Sequence, residues 1–308
     1  MSTIDHGDLK HVHGKPVHSV ILVTGATGNV GRPVVTQLLR TGAVVCALAR
    51  DPASAGLPSG VDVVRGDLSA PGTLDACLNG VDAVFLLWPG LTADLAPAVL
   101  DAIRKHARRL IFLSSLGVRD DLEWQPDPIN ALHADIERVI ERSGLEWTFL
   151  RPGGFATNTL WWAPQIRADG VVRWASGACA RAAIHERDLA AVAVRVLSGD
   201  GHGAAKYLLT GPRTLTQVEQ VQIIGEVIGR PIRVEEISPE AMRSRLLTRL
   251  PPAVVDGALT YWARLVTEPE LVSPTVEEIT GAPARPFRAW VSDHASDFLR
   301  TSGAALPR

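Results

Sequence analysis

A short apolar segment that runs into three spaced glycines constrains this chain more than any other feature. Residues 20–23 read Val-Ile-Leu-Val, and the glycines follow in the pattern Gly-x-x-Gly-x-x-Gly. The first glycine permits a tight turn off a strand, the second lets a pyrophosphate approach the backbone, and the third lets the next helix pack on the sheet. The start of that helix favours an anion. The segment therefore predicts a dinucleotide-binding loop. Its expected contact residues are Gly25, Thr27, Gly28, Asn29, Val30 and Gly31.

Length, charge and cysteine use exclude several classes of protein. The chain has 308 residues and a formal net charge of -2, which suits one large or two joined domains and gives no basic surface for nucleic acid. Its apolar runs are broken well before about 18 residues, which predicts no membrane span. Cys46, Cys77 and Cys179 show no metal or disulfide spacing, and no secretory signal follows the first residue. We expect a cytoplasmic protein without bound metal, either a monomer or a homodimer.

Strand and helix patterns alternate through the first half of the chain. Such alternation gives a parallel sheet covered by helices, and right-handed crossovers favour a doubly wound α/β sheet of the Rossmann type. Strands are expected at 20–23, 44–48, 61–64, 83–87, 110–113 and 147–150, and helices at 32–39, 72–78, 95–107 and 131–142. After Gly154 the pattern becomes irregular, which indicates a smaller C-terminal substrate lobe. The predicted segments are a disordered tail at 1–18, a NAD(P)-binding core at 19–154, and a mixed α/β lobe at 155–308 that interleaves with the last strands of the sheet.

The residues that follow the second and third strands bear on the choice of dinucleotide. Arg50 ends the second strand about 20 residues after the glycine loop, where a carboxylate binds ribose hydroxyls and an arginine neutralises a 2′-phosphate. Arg50 therefore favours NADP(H) over NAD(H), although a plain surface ion pair is the alternative. Asp67 suits either the adenine amino group or an ordinary turn, and Leu68 is expected to cover the adenine ring.

Further cofactor contacts are expected after the later strands, because ligands of such sheets lie beyond the carboxyl ends of the strands. The candidates are Leu87, Trp88 and Pro89 after the fourth strand, Ser114 after the fifth, and Pro152, Gly153 and Phe155 after the sixth. Trp88 is equally suited to ordinary core packing. Ser115, the next residue along, places a hydroxyl where it can touch an oxygen of the substrate.

Several of these segments resemble one known family. The segments 24–31, 49–50, 66–67, 150–153 and 184–190 are similar to those of the NmrA-like, atypical short-chain dehydrogenase/reductase family, and the resemblance extends over about residues 19–298. It implies a Rossmann sheet and NAD(P) binding. It does not imply one reaction, because the family includes both reductases and nucleotide-sensing regulators without catalysis.

The same resemblance raises a question about the catalytic residues. Extended short-chain dehydrogenases carry Tyr-x-x-x-Lys on the helix before the sixth strand, with a glutamate four residues after the lysine. Aligning that glutamate with Glu137 puts His133 at the lysine position and Ile129 at the tyrosine position. Isoleucine cannot donate a proton, so the usual mechanism is lost. His133, with Ser115, becomes the candidate proton donor, and a histidine that only binds the ribose is the alternative.

Large aromatic residues are concentrated in the predicted lobe. They suit a flat apolar pocket for an aromatic ligand, or simple core packing. The candidate substrate contacts are Asn158, Trp161, Trp162, His185, Tyr261 and Trp262, with His185 as a second proton-donor candidate. The sequence thus predicts an NADPH-dependent reductase that transfers hydride to a carbonyl, quinone, imine or activated alkene of an apolar, aromatic small molecule. A non-catalytic NADP(H)-sensing regulatory or binding protein is the alternative.

Overall fold

The computed structural model describes residues 19–299. The tail predicted at 1–18 therefore lies outside the described residues. The chain divides into two compact units, which are treated separately below. Within the described residues, unit 1 comprises 19–114, 132–150 and 190–207, and unit 2 comprises 115–131, 151–189 and 208–299.

Unit 1 is built on a seven-stranded sheet. In chain order its strands are β1 (Val20–Val23), β2 (Val44–Ala49), β3 (Val61–Arg65), β4 (Ala83–Leu86), β5 (Arg109–Leu113), β6 (Glu146–Pro152) and β9 (Ala205–Leu209). They lie in the order β3-β2-β1-β4-β5-β6-β9, and Leu22 of β1 pairs in parallel with Cys46 of β2 on one side and Val84 of β4 on the other. The strand order reverses between β1 and β4, which is where such sheets bind dinucleotides. The predicted doubly wound Rossmann sheet is confirmed.

Helices flank this sheet and bury their apolar faces on it. They are α1 (Gly31–Arg40), α2 (Leu74–Leu78), α3 (Ala96–Ile103), most of α4 (Pro128–Glu141) and most of α6 (Glu186–Ser198). On α1 the residues Val34, Val35 and Leu38 recur at helical spacing and are fully buried, so one face of the helix is apolar. The core of unit 1 also takes in Phe112 and Phe149, whose rings meet edge to face. This packing fixes the loops that leave the carboxyl ends of the strands.

Unit 2 holds shorter elements around a tryptophan-rich core. The remaining strands are β7 (Val171–Trp174), β8 (Ala180–Arg181), β10 (Leu215–Thr216) and β11 (Arg233–Glu236), paired as β10-β8 and β11-β7. The helices are α5 (Ala163–Asp169), α7 (Gln217–Val227), α8 (Pro239–Leu246), α9 (Pro252–Thr267), α10 (Thr275–Thr280), α11 (Phe287–Asp293) and α12 (Ala295–Leu299). Trp290 is fully buried between the rings of Phe287 and His294. Its bulk anchors the C-terminal helices to the unit.

Two features are absent from residues 19–299. No helix in this range is long and apolar enough to cross a membrane. No group of three or more His, Cys, Asp and Glu side chains in the same range is arranged to hold a metal ion. The division of the chain at residue 154 stays a prediction.

Candidate dinucleotide loop and substrate cavity

The glycine loop of unit 1 has the geometry that its spacing predicts. Gly25 has φ of +57°, which favours glycine, and its carbonyl oxygen accepts a hydrogen bond from Gly28 N at 3.0 Å. A Cβ added at Gly31 would lie 2.2 Å from that same oxygen, closer than any real contact. The third glycine therefore lets α1 begin directly against the loop.

The start of α1 is left without a side-chain cap. No side chain caps the helix at Val30. Within residues 19–299 Arg32 N donates to Gly28 O at 3.1 Å and Pro33 has no N–H, so in the first turn the N–H of Gly31 is the donor left for an anion. Thr24, which sequence reasoning did not single out, braces the loop from beneath: its Oγ1 donates to Leu87 O at 3.0 Å and accepts from Leu87 N at 2.7 Å. The sequence signal that could have identified Thr24 is the presence of a hydroxyl residue directly after β1. Thr27, Asn29 and Val30 lie in the same loop, and their cofactor contacts stay a prediction.

Arg50 and Asp67 lie close enough to interact at the ends of β2 and β3. Arg50 is exposed and makes no hydrogen bond or ion pair within residues 19–299, so its guanidinium is available to a ligand. Asp67 accepts from Ser69 N at 2.9 Å, and this bond, with a smaller contribution from Arg50, lowers the pKa of Asp67. The contact forms the turn that was the alternative role for Asp67. Leu68 is buried beneath it.

Some of the residues that follow β4 and β5 already have packing contacts or hydrogen-bond partners within unit 1. Trp88 packs partly buried on the core of unit 1, and its Nε1 donates to Thr92 O at 2.9 Å. Trp88 therefore has the core-packing role that was the alternative to a cofactor contact. Pro89, the next residue, is exposed. Ser114 is buried and donates from Oγ to Glu137 Oε1 at 2.5 Å. Its predicted cofactor contact therefore competes with a strong bond inside unit 1.

His133 lies on the part of α4 that belongs to unit 1. Its ring is half-buried and packs on Phe112, with 5.7 Å between ring centroids and 44° between ring planes. This tilted contact with Phe112 helps to hold the imidazole in place. The roles of proton donor and of ribose ligand both remain predictions for His133.

Unit 2 contains an aromatic-walled cavity of about 270 Å³, called the main cavity below, beside a larger one of about 690 Å³ that shares Asp127, Asn130 and Tyr261 with it. It gathers many of the residues that the sequence singled out: Ser115, Pro152, Gly153, Phe155, Asn158, Tyr261 and Trp262. Ser115 Oγ donates to Asn130 Oδ1 at 2.8 Å and accepts from Gly117 N at 3.2 Å. The serine hydroxyl is therefore fixed in the cavity wall.

The first turn of α4 supplies another part of this wall. Asp127 Oδ1 caps the helix by accepting from Ile129 N at 3.1 Å and Asn130 N at 2.9 Å. Ile129, the residue at the usual tyrosine position, lines the main cavity and is 41% exposed. The cavity thus meets an aliphatic side chain at position 129, and the correspondence of this position to a catalytic tyrosine stays a prediction.

A buried charge cluster that sequence reasoning missed lies beside the main cavity. The carboxylate of Glu270 accepts from Tyr261 Oη at 3.0 Å, from Ala182 N at 3.0 Å and, at 3.4 Å, from both Gly154 N and Arg181 Nη2. Burial, together with the charge of Glu270, raises the pKa of Tyr261. Tyr261 therefore stays protonated over the physiological range. No local pattern links Arg181 to Glu270, since 89 residues separate them.

Tryptophans wall a smaller cavity of about 50 Å³, called the tryptophan cavity, which shares Phe155, Asn158 and Trp262 with the main one. Trp174 lies between Trp162 and Trp262, at centroid distances of 6.1 Å and 5.4 Å. Trp161 lines neither cavity: it is 41% exposed, and Arg249 lies 5.9 Å above its ring. The predicted aromatic wall thus includes Trp162 and Trp262 but not Trp161.

His185 corrects another expectation, because it lines neither cavity. Its side chain is 1% exposed and caps α6, with Nδ1 accepting from Arg187 N at 3.2 Å and Nε2 lying 3.2 Å from Asp293. These contacts fix both nitrogens in the interior of unit 2. The placement contradicts a role for His185 as a proton donor to substrate.

His294 continues this buried cluster. It lies 2.9 Å from both Glu186 and Asp297. Burial on its own lowers the pKa of His294, but the bonds to Glu186 and Asp297 outweigh it, and the net shift from 6.5 is upward. Burial likewise raises the pKa of Glu186, and the contacts with His185 and His294 more than reverse that effect. The cluster therefore ties the first turn of α6, which belongs to unit 2, to the C-terminal helices.

The glycine loop, the uncapped α1 and the reversed strand order define unit 1 as a dinucleotide-binding Rossmann protein. The chain belongs to the NAD(P)H-binding family, whose model matches residues 25–200. Its resemblance to the NmrA-like, atypical short-chain dehydrogenases/reductases is thereby confirmed, and it is an NAD(P)H-dependent oxidoreductase.

Two relatives and one solved structure show how far the likeness extends. The chain is 41% identical to a (4-alkanoyl-5-oxo-2,5-dihydrofuran-3-yl)methyl phosphate reductase of Streptomyces griseus, covering 91% of this chain and 99% of the relative. It is 33% identical to an NAD(P)H azoreductase of Xenophilus azovorans, with coverage of 91% and 99%. The crystal structure of an NADPH-dependent quinone oxidoreductase from Escherichia coli matches with a TM-score of 0.75 and 26% identity, covering 89% of this chain and 99% of that one.

Proposed function

We propose that this protein is an NADPH-dependent reductase whose acceptor is a small molecule with an electron-poor double bond in an apolar, aromatic or conjugated body. The acceptor is a quinone, an activated alkene, an imine or a conjugated carbonyl. The observation that carries the proposal is the main cavity, where Phe155, Tyr261 and Trp262 form aromatic walls and the aliphatic Ile129 lies at the position that the family resemblance assigns to the proton donor. An acceptor that needs little acid assistance suits such a wall.

The relatives support this class of acceptor through the chemistry that their names share. A quinone, an azo compound and an alkanoyl dihydrofuranone each contain a double bond depleted of electrons by neighbouring groups. Such bonds accept hydride readily, so catalysis depends mainly on positioning the acceptor in a dry site. An aromatic-walled cavity of about 270 Å³ provides that environment.

The residues of unit 1 suit the reduced form of NADP. The loop between Gly25 and Gly31 would hold the pyrophosphate at the start of α1, and the unpaired guanidinium of Arg50 would bind the 2′-phosphate. When bound, the cofactor supplies the hydride. His133 either donates the proton or binds the ribose, and Ser115 orients an oxygen of the acceptor from the cavity wall.

A panel of acceptors tests the proposal. Purified protein and NADPH are mixed with naphthoquinones, cyclic imines, aryl ketones, an azo dye and a 4-alkanoyl-3-(hydroxymethyl) dihydrofuranone with its phosphate ester. Loss of the absorbance of reduced nicotinamide is then followed. We expect turnover with quinones or with the furanones, and slow or no turnover with simple aryl ketones.

The alternative function is a non-catalytic NADP(H) sensor, and Ile129 is the observation that favours it. Tight NADPH binding measured by calorimetry, combined with no turnover of any acceptor in the panel, would establish the sensor and reject the reductase. Ile129→Tyr serves as a matched variant: it restores a phenol at the cavity wall and is expected to speed reduction of aryl ketones more than of quinones.

A further inference from the structure

We propose that Arg181 is an anion-recognition residue of the main cavity and that the physiological acceptor carries a carboxylate or phosphate group. The inference rests on the proposed reductase function and narrows its substrate class. It starts from the position of Arg181, which lines both the main cavity and the tryptophan cavity. Burying a cation in an aromatic-walled cavity is costly, so its presence there indicates a role other than binding apolar groups.

The guanidinium of Arg181 has far more hydrogen-bonding capacity than unit 2 uses. A guanidinium carries five N–H donors in a planar fork. Within the described residues, Arg181 donates one side-chain hydrogen bond, from Nη2 to Glu270 at the long distance of 3.4 Å. Its Nε is buried and has no hydrogen-bond partner there. Nη1 likewise donates no hydrogen bond within the described residues, and polar groups in a protein interior are normally satisfied, so the open donors of this guanidinium at a cavity indicate a missing acceptor.

Glu270 does not need the remaining donors of Arg181. Its carboxylate already accepts from the Tyr261 hydroxyl and from the backbone N–H groups of Ala182 and Gly154. Asp127, the other carboxylate that lines the main cavity, is occupied in capping α4. Neither acid therefore saturates the guanidinium, and its free edge is left to a ligand.

The guanidinium is also held in place before any ligand arrives. It lies 5.4 Å from the ring centroid of Tyr261, and a Cβ added at Gly154 would be 2.6 Å from both Cζ and Nε of Arg181. Because Gly154 has no side chain, its backbone provides a surface on which the planar guanidinium of Arg181 packs. A fixed fork suits the paired oxygens of a carboxylate or phosphate, which lysine would not match. A neutral acceptor would leave the donors of Nη1 without an anionic partner.

The experiment compares the furanone phosphate ester with its hydroxymethyl counterpart, because the pair shares one electron-poor double bond and differs in charge. The wild-type protein should prefer the ester by roughly 10- to 100-fold in kcat/KM, the range of a charge-assisted bond. In Arg181→Gln this preference should fall to about 1, whereas Arg249→Gln, which removes an arginine from the ring of Trp161, should retain it. An equal loss in Arg264→Gln would show a general charge effect and overturn the assignment, because Arg264 lies over Tyr261 without lining the main cavity.

Two further measurements keep the inference falsifiable. Arg181→Gln combined with Glu270→Gln removes both charges together, so that a buried carboxylate is not left unpaired if the single variant misfolds. Quenching of tryptophan fluorescence by benzyl phosphate, against benzyl alcohol, measures binding without turnover. Binding of the phosphate that depends on Arg181, with no acceptor reduced, would uphold the inference and reject the reductase. Reduction of the phosphate ester and its hydroxymethyl counterpart at equal rates would uphold the reductase and reject the role of Arg181 in anion recognition.

Discussion

Replacement of Gly31 by alanine tests whether the third glycine fits α1 to the loop. The new Cβ would lie 2.2 Å from Gly25 O and 2.7 Å from the Cα of Ala26, and both neighbours are backbone atoms that cannot swing aside. Restoring ordinary contact requires α1 to retreat by about 1 Å, and a gap of this size removes a quarter to a half of the attraction across it.

The magnitude follows from what α1 buries. Val34, Val35 and Leu38 are each fully buried, and such side chains contribute about 1.5 to 3 kcal/mol apiece. Losing about a quarter of their contacts costs roughly 2 kcal/mol, which agrees with the usual cost of overpacking. The N–H groups at the start of α1 move with the helix, so the affinity for NADPH should fall by about 10-fold or more.

Urea unfolding and calorimetric titration with NADPH measure the two effects on one preparation. Gly72→Ala is the matched control, because a Cβ there meets nothing within 4 Å and the backbone has no positive φ. It should leave stability unchanged or raise it by up to about 1 kcal/mol, with NADPH affinity intact. A Gly31→Ala protein with the wild-type unfolding midpoint and wild-type affinity would refute the packing argument.

Three further predictions concern single charged or titratable side chains. Arg50→Asp should weaken NADPH at least 10-fold more than NADH in calorimetric titration, and equal losses would contradict the 2′-phosphate role. His133→Ala should slow turnover more than it weakens NADPH binding if the imidazole donates a proton, whereas a ribose ligand would lose mainly affinity. Because the pKa of His294 lies above its unfolded value of 6.5, its stabilising effect is fully present below about pH 6.5 and is lost as the pH rises through the folded value. His294→Gln should therefore cost more stability in urea unfolding at pH 5.5 than at pH 8.5, and a cost that grows with pH would reverse the assignment.

Local sequence patterns were sufficient for unit 1 and insufficient for the interior of unit 2. Strands such as β1 and β4 are continuous apolar runs, which a buried parallel sheet produces directly. The strands β8 and β10 have two residues each and exist only through pairing with one another, so no periodicity marks them. The same limit applies to the contact between Arg181 and Glu270, which joins β8 to the segment after α9.

His185 shows a different limit, because the residue type was informative but its role was not. A histidine near a pocket-facing loop suits proton transfer, yet its contacts with Arg187 N and Asp293 satisfy both ring nitrogens within the fold. Burial of 99% of the side chain decides between the two roles, and burial depends on the C-terminal helices rather than on neighbouring residues.

The glycines of the loop and of the charge cluster differ in how closely other atoms approach the position of a missing Cβ. A Cβ at Gly153 would lie 3.0 Å from the carboxyl carbon of Glu270, and one at Gly154 would meet the guanidinium of Arg181, so both are accounted for by the charge cluster. Gly31 is accounted for by the carbonyl of Gly25. At Gly28 a Cβ would meet a single described atom, Gly25 O, at 3.3 Å, a contact that a small adjustment relieves. Among the three glycines of the loop, packing therefore demands glycine least at position 28, and the predicted approach of a pyrophosphate remains the reason for a missing side chain there.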